Sequence, residues 1–437
     1  MRLLRLSPLL VVVSAALSAQ TPRPGTVVTA NLGRFWRVFD KVTATSDTSL
    51  QRALIQSQYI DSATQGLRAM MTARRYNAAA HADAIQCYPI LWRSVRANTL
   101  RAPPLATALE QGITQLRTVY PQLKPAPVYV TIGALRSGGT TLDGQVLIGS
   151  ELALGDSTVD TSELAPRFAN VVAYMRSNPI ENVVQLNAHE YVHTQQRPYP
   201  YRLLHVGLAE GVAEYMSVLA TSTPSTSPAI AYGDAHAARI GEQFARVILS
   251  QEAVNNWLYN DTSNEFGVRD LGYHVGYAIA RGYRSRAVDT IRAVRTLIEL
   301  DYANDSAVAE VVDASHFFIR PLRALTFACE ASRPTVRAIR EIGNGATNVS
   351  PALTALTIDF SAPMDSTARG FDYGPLGEAN VLRVRKFRGF SAHRRTVTID
   401  VEIMPSHRHQ LVLSDRFQTA DGVSLRPYLI DITKLDR

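Results

Sequence analysis

Apolar residues recur at helical intervals from about Asn31 to Leu116, with Leu50, Leu54, Ile55, Ile60, Leu67, Met70 and Met71 marking the inward side. Ala84 to Trp92 is dense in apolar and aromatic bulk and is expected in the core. The period then changes. Val128-Tyr129-Val130-Thr131-Ile132 is mostly β-branched and bounded by Pro127 and Gly133, which predicts a strand. Ser137-Gly138-Gly139-Thr140-Thr141 predicts a tight hairpin connection, because it lacks the lysine and spacing of a phosphate loop. Gln145 to Leu152 predicts a second strand, either an ordinary sheet member or an edge that pairs with an extended peptide.

Asn178-Pro179-Ile180-Glu181 predicts a helix start, with Asn178 as N-cap, Pro179 in the first position and Glu181 closing a capping box. That helix is expected to end before Pro198. A second helix is expected from Leu208 to Leu219, a loop from Pro224 to Pro228, and helical periodicity again from Ala235 to Leu300. Near Arg333 the texture shifts to turn residues and alternation: Leu356, Ile358, Phe360, then Val397, Ile399, Val401, Ile403, then Leu411 and Leu413. Short alternating strands over about 100 residues predict a β-sandwich.

Composition places the 437-residue chain among globular proteins, at 46% hydrophobic and 19% charged residues. The N-terminus has Arg2 and Arg5 before an apolar run from Leu9 to Leu17 and the small residues Ser18 and Ala19, the pattern of a secretory leader cleaved after Ser18 or Ala19. No cysteine near that point offers a lipid anchor, and no later stretch is expected to span a bilayer. The mature protein is therefore expected in a periplasmic or extracellular space. The formal charge of +7 becomes +5 without Arg2 and Arg5, and its basic residues are scattered, so no nucleic-acid partner is expected. Cys87 and Cys329, the only cysteines, are expected as two separate buried thiols.

His189-Glu190-Tyr191-Val192-His193 changes the picture most. Residues four apart share a helix face, so both imidazoles can reach one metal ion while Glu190 stands beside its open position. This is the His-Glu-x-x-His pattern of metal-dependent hydrolases, in which Zn2+ activates water and the glutamate takes its proton. A catalytic zinc wants three protein ligands. Glu210 and Glu214 lie one turn apart on the next helix, and we expect Glu210 as the ligand and Glu214 as the acceptor that fixes a ligand histidine. His205 is the rival third ligand. A third histidine six residues after His193 is absent, that position being Tyr199. Tyr273 or His274 could stabilise a developing oxyanion, or pack a helix face. Trp257 and Tyr259 read as pocket lining or aromatic core.

Glu210-Gly211-Val212-Ala213-Glu214-Tyr215 after that motif resembles the gluzincin metallopeptidases, including the aminopeptidase N-like family. In that family the ligand glutamate stands at a spacing between those of Glu210 and Glu214. The thermolysin-like enzymes carry an acid four residues after their ligand glutamate, which implies the roles given to Glu210 and Glu214. Leu271 to Tyr277 loosely resembles the tyrosine-bearing segment of the aminopeptidase N-like family, implying Tyr273 as oxyanion donor. Over Val128 to about Tyr283 the chain is similar to a bacterial family of zinc-dependent proteases related to gliding-motility protein GldB. Arg136 to Thr140, Ala188 to Gln196, Trp257 to Asn260 and Asp270 to Tyr277 carry that likeness. Phe360-Ser361-x-Pro363-Met364-Asp365 resembles bacterial immunoglobulin-like domains of cell-surface proteins.

The expected fold is α+β. A leader at 1–19 precedes a mostly helical zincin-like metallopeptidase domain with a small antiparallel sheet at 20–332, whose helical N-terminal part covers 20–120. An Ig-like β-sandwich follows at 333–437. The expected activity is exported, zinc-dependent cleavage of peptide or protein substrates, with cell-envelope association through the C-terminal domain. The competing readings are a zinc amidase acting on cell-wall peptides and an envelope interaction protein that binds zinc without useful turnover.

Overall fold

The computed structural model describes residues 26–434 apart from 165, 260–263, 351 and 405–406. The expected leader, 1–19, lies outside the described residues. Among them are 16 α-helices, followed by small antiparallel sheets near the C-terminus. The chain divides into two compact units, Met1–Glu110 with Pro125–Ala153, and Gln111–Lys124 with Leu154–Arg437.

In the first unit, polar caps start the helices where the sequence turns. Asp47 accepts from the N–H groups of Ser49 and Leu50, Thr64 from Leu67, and Asn77 from Ala80. Phe35, Trp36 and Trp92 pack edge-on or tilted in its core, each 2% exposed or less. The strands are β1 (Val27–Val28), β2 (Val128–Thr131), β3 (Gly139–Leu142) and β4 (Gln145–Gly149), in the order β1-β2-β4-β3. This sheet is mixed, since β2 pairs in parallel with both β1 and β4. The expected antiparallel sheet is realised only at β3–β4. The β3–β4 turn is not in Ser137–Thr141, which enters β3, but at Asp143-Gly144, both with positive φ (50° and 70°) as a tight hairpin turn requires. Since β4 lies between β2 and β3, it is no edge for an added strand. Its last expected residues instead form the short helix Ser150–Ala153.

The second unit carries the metal motif on helix Val183–His193, entered through a 3-10 turn at Pro179–Asn182. Asn178 does not cap it. Its backbone is left-handed (φ 55°), and its side-chain oxygen instead accepts from the Ser157 N–H at 2.8 Å. The next helix, Leu203–Thr221, starts earlier than its periodicity predicts. It is long and apolar enough to cross a membrane by composition, contrary to expectation, yet 83% of that stretch is buried, as in the core helix of a folded domain. Helix Pro228–Arg246 begins with the proline expected in a loop, and helix Leu271–Arg286 follows.

Helices Leu203–Thr221 and Leu271–Arg286 cross without room for side chains between them. A Cβ on Gly276 would meet the Gly207 carbonyl oxygen at 1.9 Å, and one on Gly211 would meet Tyr277 N at 2.1 Å. Only glycine permits this approach. It brings Glu210 and Tyr273, each one residue from a contact glycine or its neighbour in the crossing, toward the same space.

Past Ser332 come β5 (Val336–Ile339), β6 (Ala355–Phe360), β7 (Phe371–Asp372), β8 (Arg383–Phe390), β9 (Thr396–Glu402), β10 (His407–Leu413) and β11 (Tyr428–Lys434). They form two antiparallel sheets, β5-β6-β9-β8 and β11-β10-β7. Alternation decides which side is buried: Leu356, Ile358 and Phe360 of β6 and Val397, Ile399 and Val401 of β9 point inward. They share one core with Leu411, Leu413, Ile430 and Ile432 from the other sheet. Cys87 and Cys329 are both free. Cys329 is buried as expected, but Cys87 is exposed because it ends its helix.

Candidate metal centre

The one-turn spacing on helix Val183–His193 puts the Nε2 atoms of His189 and His193 3.1 Å apart. Glu210 Oε2 lies 3.3 Å from each. An ion about 2.05 Å from three ligand atoms at tetrahedral angles would separate them by about 3.3 Å, the spacing seen here. All three residues are largely withdrawn from solvent, Glu210 being 7% exposed. This group could hold a metal ion.

The outer hydrogen bonds determine which ring atoms face the centre. Gln196 donates from Nε2 to the Ala209 carbonyl at 2.8 Å, which turns its Oε1 toward His193 Nδ1 at 2.7 Å. His193 must therefore donate through Nδ1. His189 Nδ1 lies 3.0 Å from Glu214 Oε2, while Ser225 donates to Glu214 Oε1. A neutral ring at either position thus carries its proton on the outer nitrogen and presents its Nε2 lone pair to the Glu210 carboxylate oxygen. In that state three acceptors converge, a set completed by a cation: a metal ion, or the protons the rings otherwise hold.

The titration of these groups reflects the same demand. Burial opposes charge on His189, but hydrogen bonds to Glu210 and Glu214 outweigh it and push the ring up to about 10. His193 is raised in the same way, burial being overcome by the Glu210 charge. Burial would raise Glu210 and Glu214, yet the histidines hold Glu210 well below the ordinary carboxylate range, and His189 holds Glu214 down.

Glu190, next to His189 on the same helix, is 8% exposed, and its charge acts on His193 and Tyr199. Tyr273 stacks on His189, with ring centroids 6.1 Å apart and 24° between planes. Burial and then the Glu210 charge hold its phenol well above the ordinary range, so it stays a neutral donor. Four of the expected residues therefore meet with Tyr273: His189, His193, Glu210 and Glu214, with Glu190 adjoining His189 in the helix.

His274 and His205 stay outside the cluster. His274, about 100° around the helix from Tyr273, is fully buried against Gly233, where a Cβ would come within 2.0 Å of its ring, and near Phe317. Burial pushes it down to about 4. His205 packs its ring on Tyr302 at 5.7 Å. Trp257 is packed against Phe244.

Sequence reasoning missed three contacts. Tyr259 donates its hydroxyl to Glu210 Oε1, and Gln196 and Ser225 orient the histidine and glutamate described above. Gln196, three residues past His193, was within reach of a helical-spacing argument. Tyr259 and Ser225 reach the site from loops, where spacing says nothing.

No family model matches the chain, and no curated protein matches it. Two solved structures match at great distance: surface layer protein SbsC, domains 1–6, and S-layer protein rSbsC, each at 12% identity and a TM-score of 0.18. Each match covers 76% of this chain and 46% of the other, so the chain spans under half the length of those proteins. A TM-score that low carries no argument about fold or activity.

Proposed function

We propose that the protein is a mononuclear zinc hydrolase of gluzincin type that cleaves peptide bonds after export. The observation that carries this reading is the triangle of His189 Nε2, His193 Nε2 and Glu210 Oε2, with edges of 3.1 to 3.3 Å. Two imidazoles and one carboxylate make the three-ligand set of catalytic zinc, which leaves a fourth position open. When bound, the ion supplies Lewis acidity and neutralises negative charge developing on the substrate. Glu190, next to His189 in the motif, takes the proton of the attacking water and returns it to the leaving amine. Tyr273, kept neutral, donates a hydrogen bond to the oxyanion that replaces the scissile carbonyl. Glu214 holds His189 in the tautomer that presents Nε2. The two-sheet C-terminal segment supports the Ig-like reading and, with it, attachment to cell-envelope components.

The test is zinc content and turnover of the mature protein and of Glu190→Gln. About one zinc per chain is expected in both, with hydrolysis of a peptide library in the wild type only. Turnover retained by Glu190→Gln, or no zinc in the wild type even after addition, would refute the reading.

A further inference from the structure

Glu210 has a second carboxylate oxygen, and the fold places a dedicated donor on it. Tyr259 gives its hydroxyl to Glu210 Oε1, while Oε2 faces both imidazoles. The tyrosine reaches this point from a strained support. Tyr259 and Asp270 both have left-handed backbones, with φ of 61° and 62°, a conformation that non-glycine residues adopt at a cost and that clusters at functional sites. The Tyr259 N–H donates to Asp270 Oδ1 at 2.6 Å, and Arg269 Nε donates to Asp270 Oδ2 at 2.6 Å. The adjoining Leu258 is fully buried and fits against Gly272, where a Cβ would lie 2.6 Å from its side chain. The Tyr259 residue itself is half exposed, and its ring meets Tyr273 only edge-on at 6.4 Å. The Asp270 latch and the bond to Glu210 aim the phenol, whose hydroxyl end is buried.

Resting on the zinc reading above, we propose that Tyr259 is a positioning residue that keeps Glu210 a one-oxygen ligand and so keeps the fourth position open. A carboxylate freed at both oxygens can chelate the ion and fill the position that substrate needs. The hydroxyl occupies one lone pair of the outer oxygen and disfavours this.

The experiment compares wild type, Tyr259→Phe and Asp270→Asn, loading each with Zn2+ and separately with Co2+. Affinity is read by competition with a chelator, and coordination number from the intensity of the cobalt visible bands, which weaken above four-coordination. Tyr259→Phe removes one oxygen from a half-exposed residue, and Asp270→Asn keeps the hydroxyl but loosens its support. Weaker cobalt bands in Tyr259→Phe are expected, with zinc affinity down roughly tenfold and a smaller change of the same kind in Asp270→Asn. The cobalt bands decide. If those of both variants superimpose on the wild type, the inference is overturned while the zinc reading stands. A wild type that takes up neither metal overturns both.

Discussion

Gly211 offers the sharpest test of how the fold builds the site. An alanine there would place its Cβ 2.1 Å from Tyr277 N, 2.2 Å from the Gly276 carbonyl carbon and 2.4 Å from Gly276 Cα. All three are backbone atoms, so no side chain can swing aside. Ordinary contact begins near 3.4 Å, and the helices must part by about 1.3 Å to restore it. Overpacking of this kind typically costs about 1–3 kcal/mol, and a backbone-to-backbone clash belongs at the upper end. Glu210, the adjacent residue, would retreat with its helix, whereas ligand distances tolerate only about 0.2 Å. Gly211→Ala is therefore expected to lower the melting temperature of the metal-free protein and to cut zinc affinity by at least tenfold, roughly the loss that displacing a supporting group brings. Gly343→Ala is the control, since a Cβ there meets nothing within 4 Å. Its stability should change by no more than about 1 kcal/mol, in either direction. The assays are thermal unfolding by circular dichroism and chelator competition. If Gly211→Ala melts and binds zinc like wild type, the crossing does not set the position of Glu210, and the reasoning fails.

Two further predictions follow from buried partners. Glu210→Ala should abolish stable zinc binding, whereas Glu214→Ala should weaken it by roughly 10–100-fold, because Glu214 acts through His189; zinc titration of both variants checks this, and binding lost only in Glu214→Ala would reverse the assignment. His81 is fully buried, both ring nitrogens are without a hydrogen-bond partner, and burial pushes it down to about 3 from 6.5. Below about pH 6.5 the unfolded chain binds a proton that the folded one refuses, so stability falls as the pH drops from there toward about 3, by up to about 1.4 kcal/mol per unit. His81→Leu should flatten that slope in urea titrations between about pH 6 and pH 4, and an unchanged slope would show that His81 is not the group responsible.

Helical spacing made half of the centre legible. His189 and His193, like Glu210 and Glu214, are one turn apart, and geometry along a helix is fixed before anything packs. The same rule could not choose between Tyr273 and His274, because adjacent residues point about 100° apart and only the neighbouring helix decides which direction is inward. Here Gly233 makes room for His274 on the far side. Alternation likewise predicted which residues of β6 and β9 are buried, but it carries no information on strand partners, so the parallel pairing of β2 with β1 and β4 was invisible. Asn178 shows competition between equivalent local solutions: the residue type suits a cap, and the Ser157 N–H takes its oxygen instead. Tyr259 was hidden for a stronger reason, since its reach depends on a left-handed residue whose conformation no pattern of apolar positions encodes.

The donor chemistry also narrows which ion the centre suits. Two imidazole nitrogens and one carboxylate oxygen at edges of 3.1 to 3.3 Å describe a small tetrahedral site. Calcium takes six to eight oxygens at longer distances, and magnesium demands near-octahedral oxygen coordination, so neither matches this set. First-row metals accept it, zinc among them. That geometry is held from three directions: by Gln196 and Glu214 behind the imidazoles, by Tyr259 behind the carboxylate, and by the glycine crossing beneath Glu210. A site needed only to bind an ion tightly would gain from Glu210 using both oxygens. On the proposed zinc-hydrolase reading, restraint of one oxygen by Tyr259 keeps a coordination position open, which hydrolysis requires and structural zinc does not.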